Sequence, residues 1–292
     1  MTSYNREKYI SESIESVLRQ DHEDFEFIIV DDASDDTTWD IIQEYASRDN
    51  RIRAFKNANN LGDYPNRNLA ASYATRKYIK YLDSDDLLSP GSLSHLVKMM
   101  ELNPTIPIGL IGIGLGLDKF QNIILDPENT FRQIFFRGKI IGCGPSYSII
   151  RNDEFKKLGG FSKNRHLSDL ELWLKVLSRF PVCLFDESLV YWRKHEHQEF
   201  TIGERTNYHL FNSFHIYFRA LQNKNCPLSN TESSMAIRNL KNRYSRNVLL
   251  SFLTGRFAYS TSLYKSTSLN FWDLFKSLSK NKYPFDLSKY DN

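Results

Sequence analysis

Cysteine is scarce. Cys143, Cys183 and Cys226 are an odd number at wide, unpatterned spacing. That excludes a secreted disulfide framework, supplies no metal motif and fits a reducing cytosol. Long apolar runs are absent too. The longest, Ile106 to Leu117, is broken by Pro107 and four glycines. It falls short of the roughly 20 residues that a bilayer-spanning helix requires. At the N-terminus no charged stretch leads into an apolar one, so no secretory signal is expected. Internal repeats and low-complexity tracts are missing, which sets aside solenoids and disordered linkers.

What is present is a chain of 292 residues, 41% apolar and 14% aromatic, enough for one large core or two smaller ones. The net charge of +3 conceals an asymmetry. Residues 205–292 carry 13 Lys and Arg against 4 Asp and Glu, a net of +9. Residues 1–204 carry 25 against 31, a net of −6. The two parts should prefer different partners. A main domain over 1–204 and a basic, aromatic helical region over 205–292 are expected.

Hydrophobic spacing gives the elements. Ile10, Ile14, Val17 and Leu18 predict a helix, and Phe25 to Val30 a buried strand. Ser34 to Thr38 forms a capping cluster ahead of a second helix marked by Ile41, Ile42 and Tyr45, with a short strand at Ile52 to Phe55 after it. A third helix around Leu69 to Ala74 leads into a strand at Tyr78 to Leu82. Ser89 is the expected N-cap of a fourth helix, with Pro90 at its first position. Alternating strands and helices imply an α/β fold with a mostly parallel sheet. Residues 106–150 lose this rhythm, as where a mixed sheet or a substrate-facing segment is added. The Gly112-Ile113-Gly114-Leu115-Gly116 run superficially resembles a dinucleotide loop, but it opens no clear helix and has no acidic partner, so sheet or cleft backbone is expected. Helices return near Asp153 to Leu158 and at Ser168 to Arg179, and the patterning is helical from about residue 207.

Ligands of open parallel sheets bind beyond the carboxyl ends of the strands, and two acidic clusters stand there. Asp31 and Asp32 follow Val30, and Asp83, Asp85 and Asp86 follow Leu82. Gathered carboxylates are costly without a cation or hydrogen-bond donors, and oxygen ligands of this kind suit Mg²⁺ or Mn²⁺ beside substrate phosphates. The plainer readings are that Asp32, Ser34 and Asp36 cap the next helix, and that Asp83-Ser84-Asp85-Asp86 is a solvated loop. Capping does not account for Asp31, and the strand-end position weakens the loop reading.

In order along the chain stand Thr2-Ser3-Tyr4-Asn5, Val30-Asp31-Asp32-Ala33-Ser34, Asn60-Leu61-Gly62, Arg67-Asn68, Asp83-Ser84-Asp85-Asp86, and Gly159-Gly160-Phe161 followed by Asp169. In that order and spacing, over roughly residues 1–200, they resemble the family 2 glycosyltransferases of the GT-A fold. The resemblance implies a Rossmann-like catalytic domain over 1–204, binding the nucleotide sugar within about 1–100 and the acceptor within about 101–204. Thr2 and Asp32 would line the donor's base pocket, with uracil fitting and guanine also open, and Tyr4 would be a donor-binding residue. Arg67 would lie near the diphosphate, with Ser84 at the donor. Asp83 and Asp85 would form the D-x-D pair, Asp85 being the more direct metal ligand for Mn²⁺ or Mg²⁺. Asp169 would be the catalytic base of an inverting transfer, and Gly160 and Phe161 would border the acceptor cleft.

The family pattern has Glu-Asp where this chain has Ser168-Asp169, and an acid here could simply favour a helix N-terminus. Tyr191-Trp192-Arg193-Lys194-His195 resembles a segment that closes the active site, with His195 carried over as a third metal or diphosphate contact. His195 and His197 could equally be exposed polar residues. An apolar first strand normally precedes T-x-YN, so a longer natural product is expected. The implied partners are a nucleotide-sugar donor and a saccharide or lipid-linked acceptor, in a cytoplasmic enzyme of cell-surface polysaccharide assembly. A nucleotidyltransferase is a competing reading, although it would carry a Gly-rich basic loop in place of Thr2 to Arg6. A nucleotide-sugar-binding module without turnover is another.

The tail mixes its +9 excess with Phe252, Phe257, Tyr259, Phe271, Trp272 and Phe275. It could rest peripherally on an anionic membrane surface. The favoured reading is a small helical core of these aromatics packed on the main domain. No nucleic-acid motif is present, and no nucleic acid is expected as a partner.

Overall fold

The computed structural model describes residues 1–112, 116–138, 144–195, 198 and 208–277. In chain order the strands are β1 (Thr2–Ser3), β2 (Phe27–Asp31), β3 (Ile52–Lys56), β4 (Tyr78–Lys80), β5 (Leu87–Leu88), β6 (Ile108–Ile111), β7 (Asn122–Leu125), β8 (Ser148–Arg151), β9 (Val182–Phe185) and β10 (Val190–Tyr191). The helices are α1 (Ile10–Leu18), α2 (Thr38–Arg48), α3 (Asp63–Ser72), α4 (Ser92–Leu102), α5 (Pro127–Arg132), α6 (Asn152–Leu158), α7 (Ser168–Leu177), α8 (Tyr208–Gln222), α9 (Asn230–Leu253), α10 (Phe257–Lys265) and α11 (Phe271–Ser277).

The first half is a parallel α/β unit. β1, β2 and β3 pair in parallel, with Thr2 opposite Val30 and Phe27 opposite Ile52. All five β2 residues are buried, as an interior strand between helices requires. α1 buries Ile10, Ser13, Ile14 and Val17, one stripe at helical spacing, against this sheet. The expected start of α4 moves: Ser89 is tied to the 187–189 turn through Leu189 O and Ser188 O, and the helix opens at Ser92 after Gly91 at φ +77°. Pro90 therefore lies before the helix.

The irregular middle becomes a five-stranded mixed sheet in the order β4-β8-β6-β9-β7. β6 and β9 pair in parallel, and the other pairings within it are antiparallel. Gly112 extends this ladder by donating to Phe185 O at 2.9 Å, which fits the sheet reading of the glycine run; Ile113, Gly114 and Leu115 lie outside the described residues. A parallel bridge between Thr2 and Asp83 joins the two sheets at the carboxyl ends of β1 and β4. β5 and β10 form a short antiparallel ribbon beside that junction. A cleft of about 460 Å³ lies between β2 and β4, walled by Met1, Ile28, Ile79, Tyr81 and Leu82.

The tail helices share the core of the mixed sheet. Phe214, Leu221, Leu240, Tyr244, Val248 and Leu263 belong to one buried cluster with Ile108, Ile150, Trp173 and Leu184. α9 opens with a capping box in which Ser229 Oγ accepts from Glu232 N and Glu232 Oε2 accepts from Ser229 N. Glu232 also takes Arg132 Nε of α5 at 2.8 Å. The aromatics expected to form the tail's core are mostly elsewhere: Phe252, Phe257, Phe271, Trp272 and Phe275 are 56–69% exposed. Their spacing follows helices that bury other faces.

Candidate active site

The loops after β1, β2 and β4 meet at one end of the sheets. Asn5, at φ +51°, accepts Asp35 N with its side-chain oxygen and donates its own N–H to Ser34 Oγ, so the first two loops lock together. Asp31 points back into its own turn, accepting from Ser34 N and Ser34 Oγ. Its fully buried carboxylate is thus accounted for by a turn closure with Ala33 at φ +63°, not by a ligand. The α2 entry is held by Asp36, whose Oδ1 accepts from Thr38 N at 3.0 Å. Asp32 organises the Asn60-Leu61-Gly62 loop instead: Oδ1 accepts from Asn57 Nδ2 (2.7 Å) and Leu61 N (2.9 Å), and Oδ2 from Gly62 N (2.9 Å).

These loops enclose a cavity of about 510 Å³. Thr2, Tyr4, Asp32, Arg67, Asp83, Ser84 and Asp85, all singled out from the sequence, line it. Arg67, on the buried side of α3, pairs through Nε with Asp63 Oδ1 at 2.8 Å and through Nη1 with Asp83 Oδ1 at 2.6 Å. Burial alone would lower its pKa, but Asp63 and Asp83 override this and keep the guanidinium charged. Burial would likewise raise Asp83, and Arg67 holds that carboxyl below its ordinary value.

Asp85 Oδ2 accepts from Arg6 Nε at 3.0 Å and lies 2.9 Å from His195 Nε2, whose ring stacks on Tyr9 at 4.6 Å. His195 is therefore at the acidic cluster, in contact with the residue chosen as chief metal ligand; His197 lies outside the described residues. Asp83, Asp85 and Asp86 each place a carboxylate oxygen within 4.8 Å of the others. Asp86, absent from the sequence-derived ligand set, accepts from Arg193 N at 3.3 Å. Burial first, and then Asp83 and Asp85, push its carboxyl up to about 8. Three such carboxylates are not all ionised near neutral pH unless a cation joins them, so the oxygen-only set fits Mg²⁺ or Mn²⁺.

Asp169 stands at the N-terminal end of α7, in a second cavity that shares Asp63, Tyr64, Arg67, Asp83 and Trp192 with the first. Burial pushes its carboxyl up to about 6, against hydrogen bonds from Leu170 N and the Tyr64 hydroxyl. A base poised near neutral pH is what proton abstraction from a hydroxyl needs. Gly160 and Phe161, expected on the acceptor cleft, line neither of these two cavities. Phe161 is buried among Tyr64, Tyr81, Phe155 and Trp173, and Gly160 sits at φ +67° where a Cβ would fall 2.6 Å from Asn68 Oδ1. Asn68 in turn bonds Phe161 N and O, so this pair braces α3 from behind.

Sequence reading missed Arg6, Asp63 and Tyr64 as site residues, and it saw Asp86 in the acidic cluster without carrying it into the ligand set. Arg6 and Asp63 each adjoin a recognised motif residue in sequence, which was the available signal. Lys163, Arg165 and Trp192 also line the first cavity, and nothing local marks the two cations.

The family model for "Glycosyl transferase family 2" matches residues 1–159. The "Putative teichuronic acid biosynthesis glycosyltransferase TuaG" of Bacillus subtilis is 32% identical over 198 residues, 65% of this chain and 76% of that protein. Among solved structures, S. aureus TarS 1-349 in complex with UDP-GlcNAc superposes with a TM-score of 0.68 at 19% identity, covering 95% of this chain and 80% of that one. This chain spans 42% of the length of a longer TarS structure. The mannosyltransferase PcManGT of Pyrobaculum calidifontis, in complex with GDP-Man and Mn²⁺, superposes with a TM-score of 0.60 at 14% identity, covering 96% and 86%. The two structural likenesses establish the GT-A fold, and with the motif-bearing loops converging on one cavity and the family model spanning more than half its length, the chain belongs to glycosyl transferase family 2.

Proposed function

We propose that the chain transfers a sugar from a nucleoside diphosphate sugar, a UDP-sugar by preference, to a hydroxyl of a saccharide or lipid-linked acceptor. The transfer inverts the anomeric centre and serves cell-surface polysaccharide assembly. The observation that carries this reading is Asp169, raised to about 6, standing across a shared wall from the cavity of Asp32, Arg67, Asp83 and Asp85.

The base preference follows from Asp32. An ionised carboxylate offers about four acceptor positions, and Asn57, Leu61 and Gly62 take three. One remaining position suits the single imide N–H of uracil better than the paired N–H groups of guanine. Arg67 is already neutralised by Asp63 and Asp83, so its first role is to order the acidic loop beside the diphosphate. Asp83, Asp85 and Asp86 would hold Mg²⁺ or Mn²⁺, which when bound offsets the charge growing on the departing diphosphate. Asp169 takes the acceptor's hydroxyl proton as that oxygen bonds the anomeric carbon. The bond from that carbon to the diphosphate oxygen breaks, and its electron pair leaves with the nucleoside diphosphate. No covalent enzyme intermediate is needed, hence inversion.

The test is nucleoside diphosphate release from a panel of UDP- and GDP-sugars, with Mn²⁺ or chelator, comparing the native chain with Asp85→Ala. Metal-dependent release from UDP-sugars, lost in the variant, is expected. Pyrophosphate as product would establish nucleotidyl transfer, and tight binding without turnover would establish a binding module.

A second reading concerns the tail, where exposed Phe252, Phe257, Phe271, Trp272 and Phe275 are accompanied by Arg256, Lys265 and Lys276. Apolar rings among cations match an anionic membrane surface near a lipid-linked acceptor. Among the described residues no helix is long and apolar enough to cross a membrane, so contact would be peripheral. Co-sedimentation with phosphatidylserine vesicles should fall when Phe271, Trp272 and Phe275 become Ser; equal partition of both forms would end this idea.

A further inference from the structure

Two of the three clustered carboxylates are gripped by one short segment. Arg193 donates its backbone N–H to Asp86 Oδ1 at 3.3 Å and its Nε to Asp85 O at 3.0 Å. His195 sets Nε2 2.9 Å from Asp85 Oδ2, the oxygen that also accepts from Arg6 Nε. Engaging Oδ2 fixes the rotation of the Asp85 carboxylate and leaves Oδ1 to a cation, which is how outer partners generally orient metal ligands. The β5-β10 ribbon that delivers this segment ends at Tyr191, and from there side-chain contacts take over its placement.

The start of α1 supplies the seat. The Tyr9 ring carries both gripping side chains: the His195 imidazole stacks on it at 4.6 Å and 24°, and the Arg193 guanidinium carbon lies 5.1 Å from its centroid. Both are attractive contacts for a phenol face. Glu12, three residues on and so on the same side of the helix, receives Arg193 Nη2 at 2.6 Å. The seat is tied to the acidic loop as well, because the buried Ser13 hydroxyl donates to Ser84 O at 3.0 Å, between Asp83 and Asp85 in the chain. Tyr9 itself lines neither cavity.

We infer that Tyr9 is a positioning residue for the cation site: by seating Arg193 and His195 it holds the Asp85 and Asp86 carboxylates in register for one divalent ion. The inference rests on the reading above that Asp83, Asp85 and Asp86 hold Mg²⁺ or Mn²⁺. Tyr9 then acts on the site from outside it, through two side chains that lie more than 180 residues further along the chain.

Calorimetry of UDP on the full chain, with Mn²⁺ and with chelator, tests this without turnover. The native chain should bind UDP about 5–150-fold more tightly with Mn²⁺, the usual range for coupling between two ligands. Tyr9→Ala should cut that factor about five-fold or more, while affinity in chelator stays within about two-fold. Tyr9→Phe keeps the ring face and should retain the native factor. Tyr9→Leu fills the space without a ring face and should behave as Tyr9→Ala, which keeps the test open if the alanine protein does not fold. A native factor in the Ala or Leu protein, a Phe protein as weak as either, or an equal loss with Mn²⁺ and with chelator would overturn the inference and leave the metal reading intact. Absence of any Mn²⁺ effect in the native chain would strike the metal reading, and the inference with it.

Discussion

The two cavities meet at a shared wall but are made by different means. The donor cavity is a lattice of charges already paired within the protein: Arg67 with Asp63 and Asp83, Asp85 with Arg6 and His195, Asp32 with three N–H donors. The neighbouring cavity is walled by rings, Trp173, Trp192 and Tyr217 among them, and its one poised group is Asp169. Paired charges fix positions to hydrogen-bond tolerance, which a diphosphate and a cation demand. Rings supply area, which tolerates variation in what they cover.

That contrast breaks most sharply at Asp169. Asp169→Asn should lower turnover about 10²–10⁴-fold, the usual worth of a general base, while UDP affinity by calorimetry changes less than two-fold. Arg67→Ala should act on the fold instead. It leaves the half-buried Asp63 and Asp83 carboxylates without their shared partner, so a loss of about 1–3 kcal/mol is expected, read by chemical denaturation. Next comes pH. The base works deprotonated and burial places its carboxyl at about 6, so turnover at saturating donor should fall roughly ten-fold per unit below that value and level off above it. Loss of the acidic limb in Asp169→Asn would tie it to that residue. The smallest effect belongs to the tail: Glu232→Ala removes both the α9 capping box and the Arg132 ion pair, for about 1–2 kcal/mol of stability with donor affinity unchanged.

The same contrast explains what the sequence made legible. Asp32, Asp83 and Asp85 follow strands of a parallel α/β unit, where local pattern and strand-end position coincide, whereas Thr2 and Arg67 were legible only through the family resemblance. The second cavity draws on residues 63 to 217, so its walls are neighbours only after the mixed sheet has formed. β6 to β9 obscured this because a buried mixed sheet has no period to separate it from other apolar runs. Asp31 misled in the other direction, since a buried turn closure and a ligand carboxylate look alike in one dimension. Phe161 was placed on the cleft because it follows the two glycines of a motif, whereas Gly159 ends α6 and Gly160 packs against Asn68 of α3. The tail's aromatics showed helical periodicity, but periodicity does not say which face finds a partner, and Phe214 and Tyr244 found it in place of Phe271 and Trp272.

Trp192 belongs to both chambers. An occupant on either side would strip water from the same indole and narrow the ring's freedom. Whatever that ordering costs is met once, by whichever molecule arrives first, and the second binds to a ring already held. Thermodynamic reciprocity then makes the gain mutual: the factor by which donor tightens acceptor is the factor by which acceptor tightens donor. A single fluorophore would report both arrivals, and donor and acceptor would bind cooperatively without any moving lid.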